Sequence, residues 1–253
     1  MIAKTQEEIT NLRKSGSILS GALKHIAGLT KPGVTTAFLD LEAEKFIRDQ
    51  GGEPAFLNYK PDGAAYAFPA ALCVSINEEV VHGIPSEDRV IQDGDLVMLD
   101  LGVSYNGYFT DAAVTVFAGT ADTAGQKLAD ATKEALKAAI ALIKPGVRVG
   151  DIGAAIEAVA KKYNLSVVED LGGHSLGLVP HEKPYIGNIG TAGKGEVLPE
   201  GLVIAVEPIF TEGKGEIILD SDEWTYRTED GSRSAETEHT ILITKDGAEV
   251  LTA

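Results

Sequence analysis

Five side chains suited to binding metal ions are spread from position 100 to position 238, so a fold that uses them must bring distant segments together. They are Asp100 and Asp111 in Leu-Asp-Leu-Gly-Val-Ser-Tyr-Asn-Gly-Tyr-Phe-Thr-Asp, His174 in Gly-Gly-His-Ser-Leu-Gly, Glu207 in Ala-Val-Glu-Pro, and Glu238 in Ser-Ala-Glu-Thr-Glu-His-Thr. Four hard oxygen donors and one imidazole suit two divalent first-row cations that share bridging carboxylates. Such a pair activates water at neutral pH and clamps both ends of a hydrolytic displacement.

The two aspartates can be placed from turn chemistry. Asn106-Gly107, flanked by apolar and aromatic residues, is the favoured dipeptide for a two-residue hairpin turn. A turn of that length sets Tyr105 opposite Tyr108 and Gly102 opposite Asp111. Asp100, two residues before Gly102, faces the same side. The carboxylates are then diagonal neighbours, roughly 7–8 Å apart at the backbone and nearer at their tips. Alone, the pair reads equally well as two solvated hairpin charges, and a bulge in either strand breaks the register.

At 253 residues the chain is expected to form one domain over 1–253, long enough to bury a sizeable core. Its net charge of −16 argues against a general nucleic-acid binder or an anionic-membrane binder. The only cysteine, Cys73, excludes an intrachain disulfide and fits a reducing cytosol. The start lacks a basic segment followed by an apolar run, and no apolar stretch reaches about 18 residues. A soluble, cytoplasmic protein is expected.

Thr5 and Glu8 form a capping-box pattern, and Ile9, Leu12, Leu19, Leu23 and Ile26 follow at helical spacing until Gly28 and Pro32. Further helices are predicted over Thr36–Asp49, Thr123–Ile143 and Val149–Tyr163, and a loop over Lys60–Ala67. Strands are predicted near Leu72–Ile76, Leu96–Leu101, Ala113–Phe117, Ser166–Glu169 and Leu202–Ile209, then Glu216–Leu219, Glu223–Arg227, Glu238–Ile243 and Glu249–Leu251. Two helices with strands are thus followed by two more helices with strands, a crude repeat in an α+β chain.

In the order of its five donors the sequence resembles the methionine aminopeptidases, closest to the short bacterial type I form, over nearly its whole length. Cys73 to Pro85 (Cys-Val-Ser-Ile-Asn-Glu-Glu-Val-Val-His-Gly-Ile-Pro) and His181 to Pro184 (His-Glu-Lys-Pro) resemble further signatures of that family. The resemblance implies the pita-bread fold, with two halves related by a pseudo-twofold axis and two divalent metal ions (Co, Mn, Fe or Zn) between them. Its implied ligands are Asp100, Asp111, His174, Glu207 and Glu238, with Asp111 and Glu238 bridging. Glu207 is also a candidate general base, as against pure ligation. His181 would stabilise the developing negative charge, and His82 would sit near the scissile amide. Phe56, Tyr59, Phe68, Cys73, His82 and Trp224 would line a methionine pocket, with His181 also contacting substrate. Asn77 and Ser234 match positions that often hold a monovalent cation.

The implied activity is removal of the initiator methionine from nascent polypeptides with a small second residue, by a monomer in transient contact with the ribosome. A proline-specific peptidase of the same fold shares the ligands, but usually carries an N-terminal domain for which Asp100 comes too early. A non-catalytic binding relative typically loses ligands, and all five are present. His25 and His239 read as structural. Two departures stand out: Lys60–Ala67 is longer than the corresponding loop of the common bacterial form, and Pro180 precedes His181 where an aromatic is frequent.

Overall fold

The first helix begins as its sequence predicts. In the computed structural model, which describes residues 1–253, the Glu8 N–H donates to Thr5 Oγ1 at 3.2 Å and the Thr5 N–H to the Glu8 carboxylate at 2.8 Å. This box opens α1 (Gln6–Leu29), and α2 (Thr36–Asp49) follows. Their apolar stripes, including Leu19, Leu23 and Ile26 of α1 and Leu39, Ala43 and Ile47 of α2, are buried against Val97, Leu99 and Leu101.

Those last residues belong to the sheet of the first half, built from β1 (Glu53–Pro54), β2 (Leu72–Ile76), β4 (Leu96–Tyr105) and β5 (Tyr108–Phe117). β3 (Glu79–Val81) leaves it to pair elsewhere. The β4–β5 hairpin runs right up to its turn, beyond the predicted strand limits. Asn106 and Gly107 both take positive φ, 52° and 78°, as a primed two-residue turn requires. Tyr105 pairs with Tyr108 and Gly102 with Asp111, the register that the turn predicts.

The second half repeats the plan. α3 (Thr123–Leu142) and α4 (Val149–Tyr163) pack through Leu128, Leu136, Ile152 and Ile156 on a sheet ordered β15-β14-β9-β7-β8. Its strands are β7 (Gly172–Ser175), β8 (Glu182–Gly187), β9 (Val203–Val206), β14 (His239–Thr244) and β15 (Gly247–Val250). Two small sheets complete the chain: β6 (Ser166–Val167), β10 (Ile209–Thr211) and β13 (Ser234–Glu236) in one, and β3 with β11 (Ile217–Leu219) and β12 (Tyr226–Thr228) in the other. No helix is long and apolar enough to cross a membrane.

One predicted strand is interrupted. Leu202–Ile209 breaks at Glu207-Pro208, because proline has no N–H to continue the ladder. The strand predicted from Glu238 begins one residue later, as β14 at His239, and the short β13 before it was not predicted; β13 pairs with β10 and β14 with β9, leaving Glu207 and Glu238 in the crossings between sheets. β7 is a strand despite its glycines, and there Gly173 is needed, since a Cβ would run into the Ala205 carbonyl of the neighbouring strand.

Candidate metal centre and substrate cleft

The crossings deliver side chains to one place. β5 runs beside the β13–β14 crossing and is fastened to it at alternate residues. The Asp111 N–H donates to Thr240 Oγ1 at 2.8 Å, the Glu238 N–H to the Ala113 carbonyl at 2.9 Å, and the Glu236 N–H to Thr115 Oγ1 at 3.0 Å. The hairpin aspartates of the first half therefore face the glutamates of the second. Ligating atoms of Asp100, Asp111 and Glu238 lie within 4.8 Å of one another, as do those of His174, Glu207 and Glu238. His174 Nε2 stands 3.7 Å from Glu207 and 4.0 Å from Asp111. Its Nδ1 lies 3.1 Å from the Ser175 carbonyl, which can only accept, so that nitrogen carries the proton and Nε2 presents a lone pair to the carboxylates.

The donor set fits divalent cations. Buried oxygens of Asp100, Asp111 and Glu238 have no hydrogen-bond partner, and no lysine or arginine forms an ion pair with these carboxylates or with Glu207. Burial raises the Asp100 carboxyl to about 7, and burial with the charge of Asp100 raises Glu207 to about 8. Asp111 and Glu238 are driven well above the ordinary range by burial and then by their carboxylate neighbours. Burial lowers His174 to about 3, keeping it neutral and able to ligate. Four carboxylates gathered without a counter-charge are what two divalent ions neutralise.

A cavity of ≈ 280 Å³ opens onto this cluster. Phe56, Phe68, Cys73 and Trp224 form its apolar wall, with Phe68 and Trp224 edge to face at 5.2 Å between centroids. Tyr59 and Pro61 also line it. Tyr66, from the Lys60–Ala67 loop, packs edge-on against Trp224 and donates to the Asp222 carbonyl at 2.5 Å, so this loop buttresses the wall. The Cys73 thiol is pushed well up by burial and by Asp100, its partner across the strands, and is a neutral wall group.

Two further imidazoles face the cavity. His82 sits in the left-handed region at φ 60°, a conformation that costs a non-glycine residue about 1 kcal/mol or more, with its ring edge-on to Trp224. Burial lowers it to about 4. The His181 ring lies 4.4 Å from that of His174, and its Nδ1 is 3.1 Å from the Tyr59 hydroxyl. Ligating atoms of His181, His174 and Asp111 also lie within 4.8 Å of one another. Burial lowers His181 too.

His25 pairs with Glu42 and stacks on Phe46, and His239 Nδ1 meets Thr252, both away from the cluster. Asn77 and Ser234 are brought together: the Ser234 N–H donates to the Asn77 carbonyl at 2.9 Å and its hydroxyl to the Glu79 carbonyl at 3.0 Å. Sequence reasoning missed Glu236, a fully buried acid that lines the cavity, contacts Glu207 and leaves Oε2 unpartnered. Burial and the charges of Glu207, Asp100 and Asp111 hold its carboxyl well above the usual range. The signal was present in Glu236-x-Glu238, whose two-residue spacing turns both side chains to one face of an extended chain.

Fold and site together are those of a metallopeptidase. The chain belongs to metallopeptidase family M24, whose profile matches residues 10–245, and uses divalent metal as that family does. It is 45% identical to the methionine aminopeptidase of Aquifex aeolicus over 250 residues, covering 98% of this chain and 97% of the relative. The crystal structure of methionine aminopeptidase from Thermotoga maritima superposes with a TM-score of 0.94 at 41% identity, over 100% of this chain and 99% of that one. Prolidase from Pyrococcus furiosus shares the pita-bread fold at a TM-score of 0.76 and 25% identity, but this chain spans only 65% of it.

Proposed function

We propose that this chain removes the initiator methionine from nascent polypeptides whose second residue is small, using two divalent ions held by Asp100, Asp111, His174, Glu207 and Glu238. The observation that carries this reading is end-to-end coverage of a methionine aminopeptidase structure, against 65% coverage of a prolidase. The span 1–253 acts as one catalytic domain, because Asp100 and Asp111 come from the first half and the other three donors from the second. Nascent chains as substrate put the activity in the cytoplasm, where a monomer meets them at the ribosome.

Two divalent ions held by these five residues would supply an acidified water and polarise the scissile carbonyl. The chain's own groups do the rest. The methionine side chain enters the wall of Phe56, Tyr59, Phe68, Cys73 and Trp224, where aromatic edges favour a thioether. Glu207 accepts a proton from the attacking water at its carboxylate. The Tyr59 hydroxyl donates to His181 Nδ1, leaving an Nε2–H to donate to the carbonyl oxygen as negative charge grows there. His82, neutral and fixed against Trp224, faces the scissile nitrogen.

The test is release of free amino acid from Met-Gly-Ser and Ala-Pro-Ser peptides by protein loaded with Mn or Co. Methionine is released from the first and nothing from the second. Comparable cleavage of the proline peptide overturns the reading.

A further inference from the structure

His181 ends the Leu176–His181 loop between β7 and β8, and regular pairing does not hold it there. His174 pairs with Tyr185 and Ser175 with Glu182, so Lys183 and Pro184 bulge out of the ladder beside the loop. Leu178 and Val179 at its tip are 56% and 48% exposed. Backbone bonds hold the base of the loop, from the Leu176 N–H to the Val203 carbonyl at 3.2 Å and from the Phe109 N–H to the Gly177 carbonyl at 2.8 Å, but the exposed tip that leads to His181 needs a tie of its own.

The residue after His181 supplies it. Glu182 Oε1 accepts from the Leu178 N–H at 3.3 Å and the Val179 N–H at 3.4 Å, closing the loop on itself. Oε2 lies 2.9 Å from the nitrogen of Met1. That nitrogen also donates to Ser175 Oγ at 2.9 Å and to the Leu176 carbonyl at 2.7 Å. Ser175 Oγ in turn donates to the Val203 carbonyl of β9 at 3.0 Å. One carboxylate therefore gathers the loop tip and fastens it to the central sheet.

We propose that Glu182 is a positioning residue for His181: its carboxylate draws the 176–181 loop closed, so that the imidazole stands over His174 and against Tyr59. This rests on the reading in which His181 donates to the substrate carbonyl. A misplacement of about 1 Å of a catalytic group costs on the order of 10²-fold in rate, so losing the clasp is felt in kcat while the pocket and the ligand cluster stay intact.

The test is a double-mutant cycle on turnover of Met-Ala-Ser by the metal-loaded enzyme. Glu182→Ala lowers kcat by roughly 10–100-fold with little change in KM or metal content. His181→Ala lowers it by about 10²–10³-fold. The double variant is no slower than His181→Ala alone, because the clasp has no imidazole left to place. Glu182→Asp keeps the charge but withdraws the oxygens; it gives a smaller loss that also vanishes in the His181→Ala background, and it serves if the alanine variant does not fold. An unchanged kcat in the Glu182 variants, or the same loss with and without His181, overturns the proposal. A wild-type rate in His181→Ala overturns it by a different route, since the role given to His181 then fails first.

Discussion

The Tyr59 hydroxyl lies 3.1 Å from Nδ1 of His181, joining the cavity wall to the imidazole beside the carboxylate cluster. A hydroxyl proton given to Nδ1 leaves the other ring nitrogen as the donor, which is the tautomer that the role proposed for His181 requires. Tyr59→Phe is expected to lower kcat roughly fivefold, the worth of a hydrogen bond of about 1 kcal/mol, while KM for methionyl peptides changes little because the ring remains. Steady-state kinetics check this; a change confined to KM makes Tyr59 a wall residue only.

His181→Ala should keep its full complement of metal and lose about 10²–10³-fold in kcat, as removal of a transition-state donor does. The proximity of His181 to Asp111 and His174 gives the experiment its edge. Metal analysis of the purified variant separates the roles: loss of an ion makes His181 a ligand.

Stability of the metal-free protein should fall as pH rises from about 6.5 to about 8. Asp100 and Glu207, raised mainly by burial to about 7 and about 8, bind protons in the folded state that the unfolded chain has already released. Such groups lose their favourable contribution as pH climbs to the folded value. His174 and His82, lowered by burial to about 3 and about 4, act in the opposite sense, but only below their unfolded value near 6.5. Above it the carboxyl effect stands alone. Urea unfolding in chelator at several pH values checks the slope, and saturating Mn should remove it by stabilising the ionised carboxylates. A flat profile in chelator contradicts the assignment.

Much of this was legible in the sequence where local chemistry decides structure. Thr5 and Glu8 announce the first helix, and Asn106-Gly107 sets the register that turns Asp100 and Asp111 to one side. The break at Glu207-Pro208 was less legible, because the apolar residues on either side read as one continuous strand while tertiary pairing sends each piece to a different sheet, and the three-residue β13 before His239 carried no signal of its own. β7 and β8 were hidden by glycines and Pro184, which look like loop until the close approach of Ala205 explains Gly173. Glu236 escaped because an acid beside a predicted ligand reads as surface charge, and its burial depends on β5 from the other half of the chain. The left-handed backbone of His82 leaves no mark in a sequence, since histidine rarely adopts it.

Carboxylates from both halves are proposed to hold two ions for the release of methionine. The most direct measurement is metal content by mass spectrometry against methionine release, for the wild type, Asp111→Asn and Glu238→Gln. Both side chains are buried, with oxygens that meet no other donor. The wild type should carry two ions per chain at full activity, and either variant fewer ions with no measurable release, because an amide lacks the charge to hold both. Two bound ions with full methionine release in either variant would contradict the proposal.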